Sequence, residues 1–234
     1  TDRRDAFKPF AESVRRLVDR NPEFSPAHVL LGQVLLDTGK PRQALAQFAI
    51  GLELDANQPD VQCLAGVVAH KLDDLDAAAK YFQQAIGLEP RNGRYKLHLA
   101  TVHIRRNELD EAKDLLLKAL HLDSSLHEGY AALSDVYARQ NKLSLALTEI
   151  RNALERTPPE ERAKYIIYVR KQAKLELRDA RPADALATLK DLSMKEEFEA
   201  GVMEDMATCH ANQGRFDLAA KLYEDAVVIF PMAA

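Results

Sequence analysis

Small and bulky apolar residues recur in phase along the chain. Alanine stands at 44, 78, 112 and 146, each 34 residues from the last, and after one step of 39 the spacing returns between Ala185 and Ala219. Four residues after each comes a large apolar side chain (Phe48, Phe82, Leu116, Ile150, Leu189, Tyr223), and seven after each comes Gly51, Ala85, Ala119, Ala153, Leu192 or Ala226. Spacings of four and three share one helix face. Each period therefore contains a helix with a packed stripe, small where two backbones approach and bulky beside them. A fixed period of this length predicts a repeat array whose units bury their apolar faces against one another.

Upstream in each period lies a second amphipathic run, such as AHVLLGQVLLDTG (27–39) or EGYAALSDVYARQN (128–141). These runs end at Gly39, Asp73, Asn107, Asn141 and Gly214, residue types that tolerate the left-handed backbone just past a helix C-terminus. So few residues separate the two runs that the helices must lie antiparallel and side by side. Proline or turn-forming residues in LELDANQPD, LEPRNG, LDSSLHEG and RTPPEE close one hairpin and open the next, because proline cannot continue a helix but suits its first turn. Thr157-Pro158-Pro159-Glu160 reads as a capping box, which places the five extra residues of the fifth period in a longer first helix, from about Pro159 to Asp179.

The carrying residues are Leu31-Gly32, Ala44, Phe48 and Asp55 in the first unit, and Ala65-Gly66, Ala78, Tyr81-Phe82, Ala85 and Leu88-Glu89-Pro90 in the second. They continue as Leu99-Ala100, Ala112 and Ala119, then Leu133, Tyr137, Ala146, Ala153 and Pro158, and finally Ala207, Ala219, Tyr223, Ala226 and Pro231. On these the chain resembles the tetratricopeptide repeat family from residue 25 to residue 233. The resemblance implies an all-α, right-handed superhelical solenoid of antiparallel helix-turn-helix hairpins, forming one continuous domain. Its units are expected at 25–58, 59–92, 93–126, 127–160, 161–199 (with the five-residue insertion) and 200–233, preceded by 1–24 as the second helix of a partial N-terminal repeat or cap. The family's first-helix tryptophan is missing, with His28, Gln62, Lys96, Tyr130, Val169 and Met203 in its place.

Composition narrows the function. A net charge of -4 and a pI near 6.0 argue against nucleic acid as a partner, since phosphate binding shows a basic excess. No run of 18 apolar residues exists to span a membrane. The chain starts without methionine, so a fragment of a longer protein, or a processed one, is expected. Cys63 and Cys209 lie four units apart and read as packing residues rather than a disulfide. They leave the compartment open, with the cytoplasm favoured over an exported location. No phosphate loop, His-Glu-x-x-His, Cys-x-x-Cys or nucleophile elbow is present. Cys209-His210 are adjacent on a helix and point about 100° apart, which is wrong for a catalytic dyad. His98 and His103, five apart, do not converge on a metal. No enzyme activity, cofactor or metal is expected.

Function then falls to surface. In the resembled family the first helix of each unit lines a concave groove, which takes an extended segment or a helix of a partner protein. Carried onto this chain, the inward positions are apolar to neutral in the first units and turn basic in the fifth. A ladder of Lys71, Arg105, Arg139 and Arg178, joined by Arg94, His98, Lys164, Arg170, Lys171 and Lys174, has two readings. Basic residues near helix ends complement the helix dipole. Alternatively Arg94, His98, Arg105, Arg139, Arg170, Lys171, Lys174 and Arg178 form a strip that captures an acidic peptide, with salt-sensitive affinity. The carboxylate clamp of tetratricopeptide co-chaperones is expected to be absent, because Val29, Gln33 and Leu64 stand where a lysine and two asparagines would be needed, leaving only Arg94 and His98 as approximate matches. The leading expectation is a protein-interaction scaffold. The alternatives are the recognition arm of a larger enzyme and a self-assembling scaffold.

Overall fold

The computed structural model describes residues 3–193 and 200–229. Among them are thirteen helices and no strand: α1 (Arg3–Arg20), α2 (Ser25–Asp37), α3 (Pro41–Leu54), α4 (Pro59–Lys71), α5 (Leu75–Leu88), α6 (Gly93–Arg105), α7 (Leu109–Leu122), α8 (His127–Arg139), α9 (Leu143–Arg156), α10 (Arg162–Arg178), α11 (Pro182–Ser193), α12 (Ala200–Asn212) and α13 (Phe216–Ile229). They fall into two compact units, Thr1–Asp123 and Ser124–Ala234. In the first, α2/α3, α4/α5 and α6/α7 are antiparallel hairpins, α3 packs on α4 and α5 on α6, and Val14 of α1 is buried against α2. In the second, α8/α9, α10/α11 and α12/α13 pair in the same way, with α9 on α10 and α11 on α12. No described helix is long and apolar enough to cross a membrane.

Local sequence explains where the helices begin and turn. Proline opens α3, α4 and α11, while the side chains of Asp74 and Asn92 cap α5 and α6 by accepting the N–H groups of Ala77 and Arg94. Inside each hairpin the turn places one residue in the left-handed region: Gly39, Asp73, Asn107, Asn141, Ala180 and Gly214. The following residue donates back across the helix end, as in Lys40 N–H to Leu35 O at 2.8 Å and Arg181 N–H to Glu176 O at 2.8 Å. Ala180 (φ 56°) is the member that the sequence pattern missed, because alanine is a poor choice for this backbone, costing about 1–2 kcal/mol. The tertiary setting imposes the conformation there.

The core follows a rule of matched sizes between the two helices of each hairpin. Gly32 of α2 faces Phe48 of α3 and Gly66 faces Phe82, each glycine so close that an added Cβ would sit about 2.5–2.7 Å from ring carbons. At the same phase in the later hairpins the small residue is Ala100, Ser134 or Ala173, and the bulky one shrinks to Leu116, Ile150 or Leu189. All five bulky side chains are 0–1% exposed. Tyr223, at the same phase in α13, is 45% exposed.

The fifth unit departs from the expectation in its detail. α10 has 17 residues where α8 has 13, so four of the five extra residues lengthen the helix. It starts at Arg162, however, and no side chain caps it. Thr157 is the C-cap of α9, its hydroxyl donating to Ala153 O at 2.7 Å, so the expected capping box does not form. The reason is the proline pair, since Pro159 keeps Pro158 out of the helical region and delays the helix by a turn closed by Glu161 N–H on Pro158 O. Pro231 and the segment 194–199 lie outside the described residues.

Candidate functional site

In the first unit the candidate residues do not gather. Arg94 is exposed in the first turn of α6. His98, one turn further, is half-buried and stacks on Phe82, with ring centroids 5.4 Å apart. Arg105, in the last turn of α6, reaches back to Asp73 in the turn after α4, N to O 2.5 Å. This contact stitches adjacent hairpins beside a helix C-terminus, which favours the helix-dipole reading over the peptide strip for this rung of the ladder.

In the second unit four candidates do converge. Arg170, Lys171, Lys174 and Arg178 of α10 line a cleft of about 330 Å³ with Ala138 and Asp135 of α8 and with Ile167 and Leu175. Helical spacing puts residues 167, 170, 171, 174 and 178 on one face. Lys171 Nζ lies 2.7 Å from Asp135 Oδ2. Arg170 Nε lies 2.5 Å from Asp205 Oδ2 of α12, and Lys174 Nζ is 3.4 Å from Asp205 Oδ1. Arg178 donates to Ala138 O, in the last turn of α8, at 3.0 Å. Four cations meet two carboxylates, so the cleft keeps a positive excess, carried mainly by the exposed Lys174 and Arg178. Arg139 is exposed in the last turn of α8 and does not line the cleft.

Asp135 and Asp205 are the site residues whose pairing the sequence reading missed. A signal for them exists. Lys171 and Asp135 are 36 positions apart, Arg170 and Asp205 35, Lys164 and Glu128 36, and Arg105 and Asp73 32. Opposite charges about one period apart therefore face each other across neighbouring repeats.

In the same unit His127, Glu128 and Glu161 bring potential metal-binding atoms within 4.8 Å of one another. The position of a cation is already filled by Lys164, whose ammonium lies 2.6 Å from both carboxylates. His127 is buried, with Nδ1 3.2 Å from the Tyr168 hydroxyl. Burial pushes the Glu128 carboxyl up, but the hydrogen bond from Lys164, a backbone hydrogen bond and the neighbouring His127 outweigh it and hold it below the usual range. Burial likewise pulls Lys164 down, and hydrogen bonds to Glu128 and Glu161 outweigh that and raise it. Glu128 thus adds stability above the ordinary glutamate pKa of about 4.3, lost as pH falls through its depressed folded value. Lys164 adds stability below about 10.4, lost as pH rises through its raised value. Since Lys164 is 42% exposed, Lys164→Met is expected to cost at most about 1 kcal/mol at neutral pH. In urea titrations the gap to the wild type should close as pH drops below about 4; a gap independent of pH would mean that Lys164 acts through packing alone.

The cysteines are free. Burial raises both thiols, Cys63 with help from Asp60 and Cys209 with help from Asp205 and Glu176, each to about 11. Cys209 is fully buried, so it is a protonated packing residue at neutral pH.

Tetratricopeptide repeat profiles match residues 69–133, and 29–87 together with 170–234. Among curated proteins, the Hsp70-Hsp90 organising protein of Plasmodium falciparum (isolate 3D7) is 26% identical over 179 residues, covering 73% of this chain and 29% of that protein. The human protein O-mannosyl-transferase TMTC3 is 31% identical over 100 residues, 42% of this chain and 11% of that protein. The matched stretches thus span less than a third of either relative. Among solved structures, PilW, described as a widely conserved type IV pilus biogenesis factor, superposes with a TM-score of 0.76 at 18% identity, covering 89% of this chain and 94% of that one. At such identity the likeness concerns the fold alone.

Proposed function

The chain belongs to the tetratricopeptide repeat family, and we propose that it is a protein-interaction scaffold whose basic cleft between α8 and α10 receives an acidic segment of a partner protein. The observation that carries this reading is the convergence of Arg170, Lys171, Lys174 and Arg178 around an apolar floor of Ala138 and Leu175, with Ile167 exposed beside them. Two carboxylates cannot neutralise four cations, and the side chains of Lys174, 3.4 Å from an Asp205 that Arg170 also holds, and of Arg178, bound only to a carbonyl, stay exposed. Apolar surface next to unspent positive charge suits a peptide that alternates carboxylates with aliphatic side chains. The relative named for organising Hsp70 and Hsp90 supports a protein as partner. Chaperone tails are not the proposed ligand, because Val29, Gln33 and Leu64 offer no clamp. The match to a mannosyl-transferase favours, as a second reading, a recognition arm of a larger enzyme.

The test is fluorescence anisotropy with a labelled Glu/Leu-alternating peptide. Lys174→Ala combined with Arg178→Ala is expected to weaken binding about tenfold, since each exposed cation contributes up to about 1 kcal/mol. Affinity should fall as salt rises and the Debye length shrinks from about 30 Å at 0.01 M to about 10 Å at 0.1 M. Arg94→Ala, in the first unit, should leave it unchanged. Binding that ignores both the double substitution and salt rules the proposal out.

A further inference from the structure

The cleft between α8 and α10 is unevenly charged along its length. Its lining follows α10 from Ile167 to Arg178, about 16 Å at the rise of a helix. At one end Ile167, 57% exposed, offers apolar surface. Next come two cations that are already engaged. Lys171 lies 2.7 Å from Asp135, the carboxylate among the lining residues, and Arg170 lies 2.5 Å from Asp205 of α12. At the other end stand the exposed side chains of Lys174 and Arg178. The order is therefore apolar, neutralised, positive. Asp135 enforces the middle step, because its side chain is 45% exposed and a guest carboxylate brought to Lys171 would meet a like charge there.

We infer that the acidic segment binds in a fixed register, with an aliphatic side chain against Ile167 and carboxylates three and five residues along it at Lys174 and Arg178, and that Asp135 sets this register by silencing Lys171. The inference rests on the acidic-segment reading of the cleft and adds the spacing. A helical guest is too broad, since a helix about 10 Å across and about 16 Å long displaces more than about 1,000 Å³, against about 330 Å³ in the cleft. The guest is then extended, at about 3.3 Å per residue. Lys174 lies seven positions from Ile167 along α10, about 10.5 Å, which three extended residues span. Arg178 lies eleven positions away, about 16.5 Å, which five span. Both offsets are odd, so the carboxylates leave the segment on the side opposite the aliphatic anchor. The long, exposed side chains of Lys174 and Arg178 follow them there.

The probes are peptides of one composition with blocked termini, a leucine and two glutamates on a serine background, titrated into the ¹⁵N-labelled chain and followed at the Ile167, Lys174 and Arg178 amides. The glutamates stand three and five residues from the leucine in one peptide and one and three residues from it in another, and each is made in both chain directions. The wider spacing, in its better direction, is expected to bind roughly fivefold more tightly than the closer one, the worth of one exposed ion pair. Asp135→Asn, which frees Lys171, should raise affinity for the closer spacing by about the same factor and close the gap. Adding Lys171→Met should reopen it. Equal binding of the two spacings by the wild-type chain overturns the register and leaves the acidic-segment reading standing. A gap that Asp135→Asn leaves unchanged overturns the role of Asp135. Failure of every peptide to shift these amides, or shifts that persist when glutamine replaces both glutamates, overturns the register and the acidic-segment reading together.

Discussion

Gly32→Ala is expected to destabilise the first unit by about 2 kcal/mol, although the same exchange in an open helix would stabilise it by about 1 kcal/mol. The opposing effect is steric. An added Cβ would meet three ring carbons of Phe48 at 2.5, 2.7 and 2.9 Å, and Phe48 is fully buried, so its ring has no solvent to swing into. Overpacking costs about 1–3 kcal/mol, and contacts this short against a fully buried ring fall at the upper end, so about 2 kcal/mol remain after the propensity gain of about 1 kcal/mol is subtracted. The rescue is written elsewhere in the chain. Ala100 with Leu116 is the natural pairing two repeats later, so Gly32→Ala with Phe48→Leu should recover most of the loss. Each single substitution should cost more than the pair, a coupling that urea titration of all four species measures directly. Strict additivity would show that the matched sizes do not govern the hairpin.

Asp205→Ala is expected to cost about 2–3 kcal/mol. Its side chain is 12% exposed and that of its partner Arg170 25%, which places the pair between exposed salt bridges, worth up to about 1 kcal/mol, and fully buried ones, where breaking one partner costs about 3–5. The loss arises because the guanidinium, which packs over Gly201 so closely that a Cβ there would touch it, keeps its charge and loses its counterion. Replacing both partners by apolar residues, as in Arg170→Met with Asp205→Leu, should be far milder than Asp205→Ala. A double replacement as costly as the single one would assign the effect to packing. For the proposed peptide cleft the consequence is practical. Substituting Arg170 perturbs the α10–α12 contact itself, so Lys174 and Arg178 are the residues that report on a ligand.

Much of the fold was legible because repetition multiplies weak signals. The ladder at Ala44, Ala78, Ala112 and Ala146 marks the second helices, and Gly39, Asp73, Asn107, Asn141 and Gly214 mark the turns where the structure has them. Ala180 was not legible, since its left-handed backbone is imposed by the flanking helices against its own preference. Nor was the start of α10 at Arg162, where two prolines outweighed a capping pattern. Of the site, the basic face of α10 could be read from spacing alone. What held each cation could not. Arg105 and Arg178 were equivalent rungs of one ladder in sequence, yet one meets a carboxylate and the other a helix-end carbonyl.

The sequence by itself determined the number and pairing of the helices, because a 34-residue period of small and bulky positions has one compact solution: antiparallel hairpins stacked on their neighbours. Only the tertiary structure decided which polar groups are spent and which are available. Arg170 is tied to Asp205 and half-buried, while Lys174 and Arg178 keep exposed side chains. The reason is geometric. Periodicity assigns a residue to a face, but hydrogen bonds and ion pairs form over about 3 Å, and which atoms come that close depends on how adjacent hairpins pack.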